Sequence, residues 1–147
     1  MDAQVNPVEA GTDAELVYIP PEHFGRVWPM VEPHVPSIIE RSRGRISLET
    51  MMQEIATRKL HVFVIWDGAL IKALIGLSMG TAPTGLKIAT VEFASGQDSH
   101  TWLHLMPQLE DHCRQVGCQK IEMWARKGWA KKFPEYKLTH VLMEKDL

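Results

Sequence analysis

The residues of this sequence best suited to acid–base or metal chemistry are three histidines on one predicted helix. His100 and His104 are one helical turn apart and His112 follows two turns later, so all three can share one side of the helix. A zinc site would also need ligands from elsewhere and supporting carboxylates, and no glutamate completes a His-Glu-x-x-His pattern. The spacing therefore favours histidines on a solvated helix face, and we expect no metal site.

A thiol next to an imidazole is the second candidate for chemistry, at His112-Cys113. Adjacent residues of a helix point in different directions, so this pair is not placed to act as base and nucleophile. Cys113 instead falls on an apolar stripe and is interpreted as a core residue. With Cys118 as its only companion it cannot build a disulfide framework, which fits a reducing compartment.

A tryptophan among cations is the third candidate. Trp129 lies close in sequence to Arg126, Lys127, Lys131 and Lys132. Packing is the most economical role for the five tryptophans of this chain, but this one can also contact a protein partner or nucleic acid. The stretch is only locally basic and lacks a series of spaced aromatic residues, so it does not favour nucleic acid.

A strand–loop–helix–strand unit over residues 86–125 must position these side chains. Residues 86–93 are rich in β-branched and large apolar residues and lead into a turn-forming run. Asp98 or Ser99 can then cap a helix, and residues 118–125 form the next strand. The helix has an apolar face and a terminal glycine: Trp102, Leu105, Met106, Leu109, Cys113, Val116 and Gly117. The two strands should therefore run parallel, with a right-handed crossover.

The rest of the chain predicts antiparallel strands and further helices. The expected strands are residues 15–19, 61–66, 69–79 and 139–143, and the hairpin turn is at Asp67-Gly68. The expected helices are two proline-kinked pieces from Pro21 onward, one that Ser47 caps, and a short one at residues 127–132.

This order of elements predicts an α/β (α+β) fold. The sheet is mixed and mostly antiparallel, with a central parallel βαβ unit and helices on both faces. Residues 1–13 lack periodicity and are predicted to be a flexible tail, and residues 14–147 a single domain.

Composition excludes several functional classes. The chain is 45% hydrophobic and 23% charged with a formal net charge of −2, so it has no general attraction to nucleic acid or anionic membranes. It has no long uncharged apolar run that could span a membrane, and no basic segment followed by an apolar one that would direct secretion. We therefore expect a soluble, cytoplasmic protein.

The order of elements, with its central strand–loop–helix, resembles the GNAT superfamily of acyl-CoA-dependent N-acetyltransferases. Trp102, Gly117-Cys118 and residues 126–129 are also similar to small bacteriophage-encoded GNAT-like proteins of unassigned activity. The superfamily resemblance implies a bulge in the central strand, whose exposed backbone groups pair with the pantetheine arm of acetyl-CoA.

The same resemblance implies a loop of the form Gln/Arg-x-x-Gly-x-Gly/Ala around the pyrophosphate, where backbone N–H groups approach the phosphates. Gln97 matches this pattern, His100 and Trp102 stand at its two small positions, and Asp98 adds a carboxylate. The residues implied to bind acetyl-CoA are Phe93, Ala94, Ser95, Gly96, Gln97, Ser99, His100 and Thr101.

Two catalytic residues also follow from the resemblance. Glu92 matches the carboxylate base that takes a proton from the amine, although a structural ion pair with a basic neighbour is an alternative. Phe133 aligns nearest to the tyrosine that returns a proton to the leaving thiolate, but it cannot donate a proton. Tyr136, close by in the sequence, is therefore the candidate acid, and the alternative is that it fills the aromatic position at the start of the last strand.

The resulting hypothesis is an enzyme that transfers an acetyl group from acetyl-CoA to an amine-bearing substrate. The alternative is a GNAT-fold binding or assembly protein without catalysis, which contacts a protein partner through the Trp129 region and can be associated with a phage virion. A phage-encoded protein would lie in the host cytoplasm or the virion, and either form can oligomerise. Fold alone does not choose between these hypotheses.

Overall fold

Apolar strands and amphipathic helices follow one another along this chain, and in the computed structural model they form a sheet covered on both faces. The structure describes residues 14–96, 98–125 and 127–147. The strands are β1 (Glu15–Ile19), β2 (His61–Trp66), β3 (Ile71–Thr81), β4 (Lys87–Gly96) and β5 (Lys120–Met123). The helices are α1 (Pro21–Val31), α2 (Val35–Arg41), α3 (Leu48–Ala56) and α4 (Met106–Gln115).

The strands follow one another across the sheet in the order β1-β2-β3-β4-β5. The first four pair antiparallel with their neighbours, whereas β4 and β5 are parallel. The crossover between the parallel strands contains α4, as the sequence predicts. The expected mixed sheet with a parallel βαβ unit is therefore confirmed.

Proline and serine define the helices before β2. A 3₁₀ turn at Glu32–His34 separates α1 from α2, so the expected proline-kinked pair is present. The hydroxyl of Ser47 accepts a hydrogen bond from the backbone N–H of Thr50, whose hydroxyl accepts one from the N–H of Ser47. This reciprocal cap begins α3 at the predicted place.

The sheet separates two apolar cores. The α1–α3 core lies on the face covered by the first three helices and contains Ile19, Phe24, Val31, Val35, Ile38, Met51, Ile55, Leu60, Val62, Val64, Ile71, Leu74 and Phe93. The α4 core lies on the other face and contains Phe63, Ile65, Ala73, Ile75, Leu77, Ala89, Val91, Trp102, Leu105, Met106, Leu109 and Cys113. None of the helices in the described ranges is long and apolar enough to cross a membrane.

The elements around β4 differ from the prediction. β4 does not stop at residue 93 but continues through the expected turn to Gly96, because these residues pair with β3. The expected helix start at Asp98 or Ser99 is also wrong. Asp98 has a left-handed backbone with φ of 53° and no side-chain cap, and two 3₁₀ turns precede α4. The second parallel strand is shorter than predicted, at Lys120–Met123.

The closing strand predicted for residues 139–143 is absent, since residues 138–147 carry no regular secondary structure. Strand propensity is realised only where a neighbouring strand provides partners. Residues 138–147 instead contact the rest of the chain through Glu144, whose carboxylate pairs with Arg43 and Arg45. Residues 1–13, and with them the predicted tail, lie outside the described residues.

Candidate active site

The centre of the candidate site is the part of β4 that extends beyond β5. The parallel pairing ends where Val91 lies opposite Met123, and the N–H of Trp124 donates to the Val91 carbonyl at 3.4 Å. β4 then continues for five residues to Gly96; residues 93–96 pair with β3, and within the described chain none of the five pairs with a second strand. One backbone edge of β4 is therefore open to an extended ligand.

A bulge at Glu92 begins this open edge. On β3, the neighbours Gly76 and Leu77 pair with Phe93 and Val91, so Glu92 is the extra residue of β4. The side chain of Val91 lies in the α4 core and that of Phe93 in the α1–α3 core, although residues two apart normally share a face. The bulge in the central strand that the resemblance implies is thus present.

The Glu92 carboxylate is half-buried and accepts a hydrogen bond from the Ser78 hydroxyl at 2.5 Å. Ser78 belongs to β3, on the same face as Leu74 and Gly76. This contact is with a neutral hydroxyl, and no basic residue of the described chain forms an ion pair with Glu92. A carboxylate in this position can accept a proton from an amine at the start of the open edge.

Ser95 is the one buried polar side chain of the described core, and a histidine accounts for its hydroxyl. His34 Nε2 donates to the backbone carbonyl of Ile71 at 2.9 Å, because a carbonyl can only accept. In the neutral imidazole Nδ1 then accepts a hydrogen bond from Ser95 Oγ, at 3.1 Å. These two bonds tie the turn before α2 to the ends of β3 and β4.

The loop after β4 carries the residues expected to bind phosphate. Gln97 lies outside the described residues. Gly96 precedes it with φ of 156°, and Ser99–Thr101 forms a 3₁₀ turn. The side chain of Trp102 is buried in the α4 core, with 2% exposed, so it does not cover the outer surface of the loop. His100 is exposed there.

Lys132 reaches this loop, which the sequence did not predict. Its ammonium group donates to the Ser99 hydroxyl at 2.9 Å and lies 4.8 Å from the centroid of the Trp129 ring. The basic cluster around Trp129 is the signal that could have found it, but from the sequence this cluster predicts packing or contact with a partner rather than contact with this loop.

Trp129 itself is only half-exposed. Its ring stacks on that of Phe133, with the centroids 5.6 Å apart, and both rings pack against the α4 core. These contacts and the ammonium of Lys132 leave less of the indole for a partner. Arg126, at the start of the predicted surface, lies outside the described residues.

Tyr136 is not brought to Glu92. Its hydroxyl donates to the Glu110 carboxylate of α4 at 2.6 Å, on the opposite face of the sheet from the Glu92–Ser78 contact. Burial and this hydrogen bond raise the pKa of Tyr136. The hydroxyl therefore stays protonated but is engaged in holding the chain after β5 against α4.

The predicted histidines do not converge either. His100 and His104 are exposed, whereas the ring of His112 packs against Tyr18 and Phe63 with centroids 6.2 and 5.0 Å away. Among the described residues, no group of three or more histidine, cysteine, aspartate or glutamate side chains could hold a metal ion.

Comparison with solved structures identifies the architecture. An aminoglycoside acetyltransferase from an uncultured soil metagenomic sample has a TM-score of 0.69 and 12% identity, over 92% of this chain and 97% of that chain. A Trypanosoma brucei acetyltransferase has a TM-score of 0.61 and 13% identity, over 92% of this chain and 100% of that chain.

A ribosomal-protein-alanine N-acetyltransferase from Brucella melitensis biovar Abortus 2308 has a TM-score of 0.61 and 10% identity, over 90% of this chain and 98% of that chain. No protein-family model and no curated protein sequence matches this chain. The similarity to bacteriophage proteins therefore stays a prediction. The expected architecture is confirmed: this chain has the fold of the GNAT acetyltransferases.

Proposed function

We propose that this protein transfers an acetyl group from acetyl-CoA to an amine acceptor. The observation that carries the proposal is the bulged, open edge of β4, with the Glu92 carboxylate at the point where that edge begins. The fold shared with three acetyltransferases supports the same reaction class. Acetyl-CoA would supply an activated thioester, and the chain's own residues would bind and orient it.

The backbone of residues 93–96 would hold the pantetheine arm. Its N–H and C=O groups on the side away from β3 can pair with the amides of that arm, as a further strand would. The side chains of Phe93 and Ser95 are buried, so they brace this edge from within the fold rather than contacting the ligand. Ser99, His100 and Thr101 would lie at the phosphate end.

Glu92 would act as the general base. Its carboxylate takes a proton from the acceptor amine as the C–N bond forms and the C–S bond of the thioester breaks. The proton stays on Glu92 until solvent removes it, and the thiolate is protonated by a separate donor. Tyr136 remains the acid implied by the resemblance, but its contact with Glu110 does not support that role.

The test compares Glu92→Gln with Glu122→Gln, a glutamate exposed on β5. We expect Glu92→Gln to bind acetyl-CoA normally and to lower kcat by at least about a hundredfold, because only the base is lost. Binding is measured by calorimetry and turnover by release of free CoA. The probe amines are an aminoglycoside and a peptide with an N-terminal alanine, which the names of two structural neighbours suggest.

Two results would contradict the proposal. If millimolar acetyl-CoA does not raise the midpoint of thermal unfolding of the wild-type protein, the site does not bind this substrate, since a saturating ligand stabilises the folded state by a few kcal/mol. If Glu92→Gln turns over as fast as Glu122→Gln, then Glu92 is not the base.

A further inference from the structure

We propose that Lys132 binds a phosphate group of the acyl-CoA and supplies a positive charge to the loop after β4. The inference rests on the proposed function, because it assigns a ligand group to the same site. It concerns a residue outside the loop pattern that the resemblance implies.

The position of Lys132 is set by the 3₁₀ turn Lys127–Lys131, which it directly follows, and by the loop after β4. The backbone N–H of Lys132 donates to the Trp129 carbonyl at 2.9 Å, and this hydrogen bond positions the backbone from which the lysine side chain extends. At the other end its ammonium group donates to Ser99 Oγ, a residue 33 positions earlier in the sequence. The cation is thereby held at the first turn after the open edge of β4.

The charge of Lys132 is not neutralised by an acid. The groups that hold its ammonium are a hydroxyl and the face of the Trp129 ring, both of them uncharged. In the described part of the chain no carboxylate forms an ion pair with Lys132. An ammonium group placed by neutral contacts keeps its attraction for an incoming anion.

Trp129 gives this cation a firm support. Its ring is stacked on Phe133, and both rings pack against the α4 core, so the aromatic face below the ammonium is anchored in the fold. A phosphate oxygen can replace Ser99 Oγ as acceptor without displacing the rest of the side chain, and the new hydrogen bond would be charge-assisted.

The loop needs such a cation. A ligand paired with the open edge of β4 would reach the loop with its phosphate end, where Asp98 is exposed and carries a negative charge. Asp98 repels a diphosphate, and an ammonium group that contacts the same loop offsets that repulsion. Lys132 therefore explains how this loop can accept a phosphate despite its carboxylate.

The experiment compares Lys132→Gln with Lys131→Gln, which removes the same charge from the neighbouring exposed position. Calorimetry measures binding of acetyl-CoA, of its 3′-dephospho form and of acetyl-pantetheine, which lacks phosphates. We expect Lys132→Gln to weaken acetyl-CoA binding about tenfold and to leave acetyl-pantetheine binding unchanged, whereas Lys131→Gln binds both like the wild type. If the dephospho form also loses about tenfold, the diphosphate is the partner; if it loses nothing, the 3′-phosphate is.

Failure of this inference is distinguishable from failure of the proposed function. Wild-type protein that does not bind acetyl-CoA would contradict both. Wild-type protein that binds, with Lys132→Gln binding equally well, would overturn only the role of Lys132. An equal loss for acetyl-pantetheine would also overturn it, because a general effect on the fold would then be the cause.

A variant that retains the charge keeps the test decisive if Lys132→Gln folds poorly. Lys132→Arg should retain most of the affinity for acetyl-CoA. A rise in salt concentration from about 50 to about 200 mM provides a second measurement. It should weaken acetyl-CoA binding more in Lys131→Gln, which retains Lys132, than in any folded variant with an uncharged residue at position 132. Loss of affinity in Lys132→Arg equal to that in Lys132→Gln would contradict a charge-based role.

Discussion

The glycine at position 76 leaves room for the ring of Phe93, the residue that follows the bulge at Glu92. Because the bulge turns Phe93 to the α1–α3 face, its ring lies directly over Gly76 of β3. A Cβ atom at Gly76 would lie 2.3 Å from the ring atom Cζ of Phe93, closer than packed atoms can approach. The missing side chain at Gly76 thus leaves the space that the ring fills.

We therefore expect Gly76→Ala to destabilise the protein by about 1–3 kcal/mol, because the ring must move out of a packed core. Gly80→Ala is the matched control on the same strand, since nothing lies within 4 Å of its new Cβ. Unfolding in urea measures both, and the double variant Gly76→Ala/Phe93→Leu should regain part of the loss. Equal stability of the two alanine variants would contradict this packing.

At the scale of elements, one histidine connects three of them. His34 lies in the turn before α2 and bonds to Ile71 at the start of β3 and to Ser95 near the end of β4. The imidazole therefore satisfies a buried hydroxyl and a carbonyl, and it holds the edge of β4 against the helical layer.

His34→Ala should lower the free energy of unfolding by about 1–3 kcal/mol, because it leaves the Ser95 hydroxyl buried without its partner. His23→Ala, at an exposed position of α1, should change it by less than about 0.5 kcal/mol. Chemical unfolding of both variants provides the measurement. In His34→Ala/Ser95→Ala the two losses should be less than additive, and strict additivity would show that the contact does not stabilise the fold.

At the scale of the whole molecule, the sheet separates two cores that differ in their titratable groups. Within the α4 core, burial raises the pKa of the Cys113 thiol from 9.0 to about 11. The unfolded chain therefore loses this proton at lower pH than the folded chain. The contribution to stability is fully present below pH 9 and is lost as the pH rises to about 11.

Between pH 8 and pH 11 we expect the free energy of unfolding to fall by about 2 kcal/mol through Cys113 alone. The variant Cys113→Val keeps an apolar side chain without a titratable group, so its stability should fall less over the same range. Urea unfolding at the two pH values, with Cys118→Ser as the control, measures the difference. A fall as large in Cys113→Val as in the wild type would contradict a role for this thiol.

The basic residues of the turn after α2 form ion pairs with a residue of the last ten described positions of the chain. In the structure the guanidinium groups of Arg43 and Arg45 pair with Glu144, about 100 residues away in the sequence. These ion pairs connect residues 138–147 to the turn after α2, even though those residues form no strand.

Features that depend only on neighbouring residues can be predicted from the amino-acid sequence. The serine cap of α3, the proline break between α1 and α2 and the turn at Gly68, where φ is 97°, are all where local patterns predict them. Gly117, with φ of 95°, ends α4 as expected. Such signals act within one turn of the chain, so residue type and spacing are sufficient to predict them.

Contacts between residues distant in the sequence depend on the tertiary structure. The bulge at Glu92 depends on how β4 registers with β3, and the contact of Lys132 with Ser99 joins residues 33 positions apart. Tyr136 bonds to Glu110, 26 positions away, rather than approaching Glu92. Register and long-range contacts are set by the packing of the two faces of the sheet together, which no local pattern encodes.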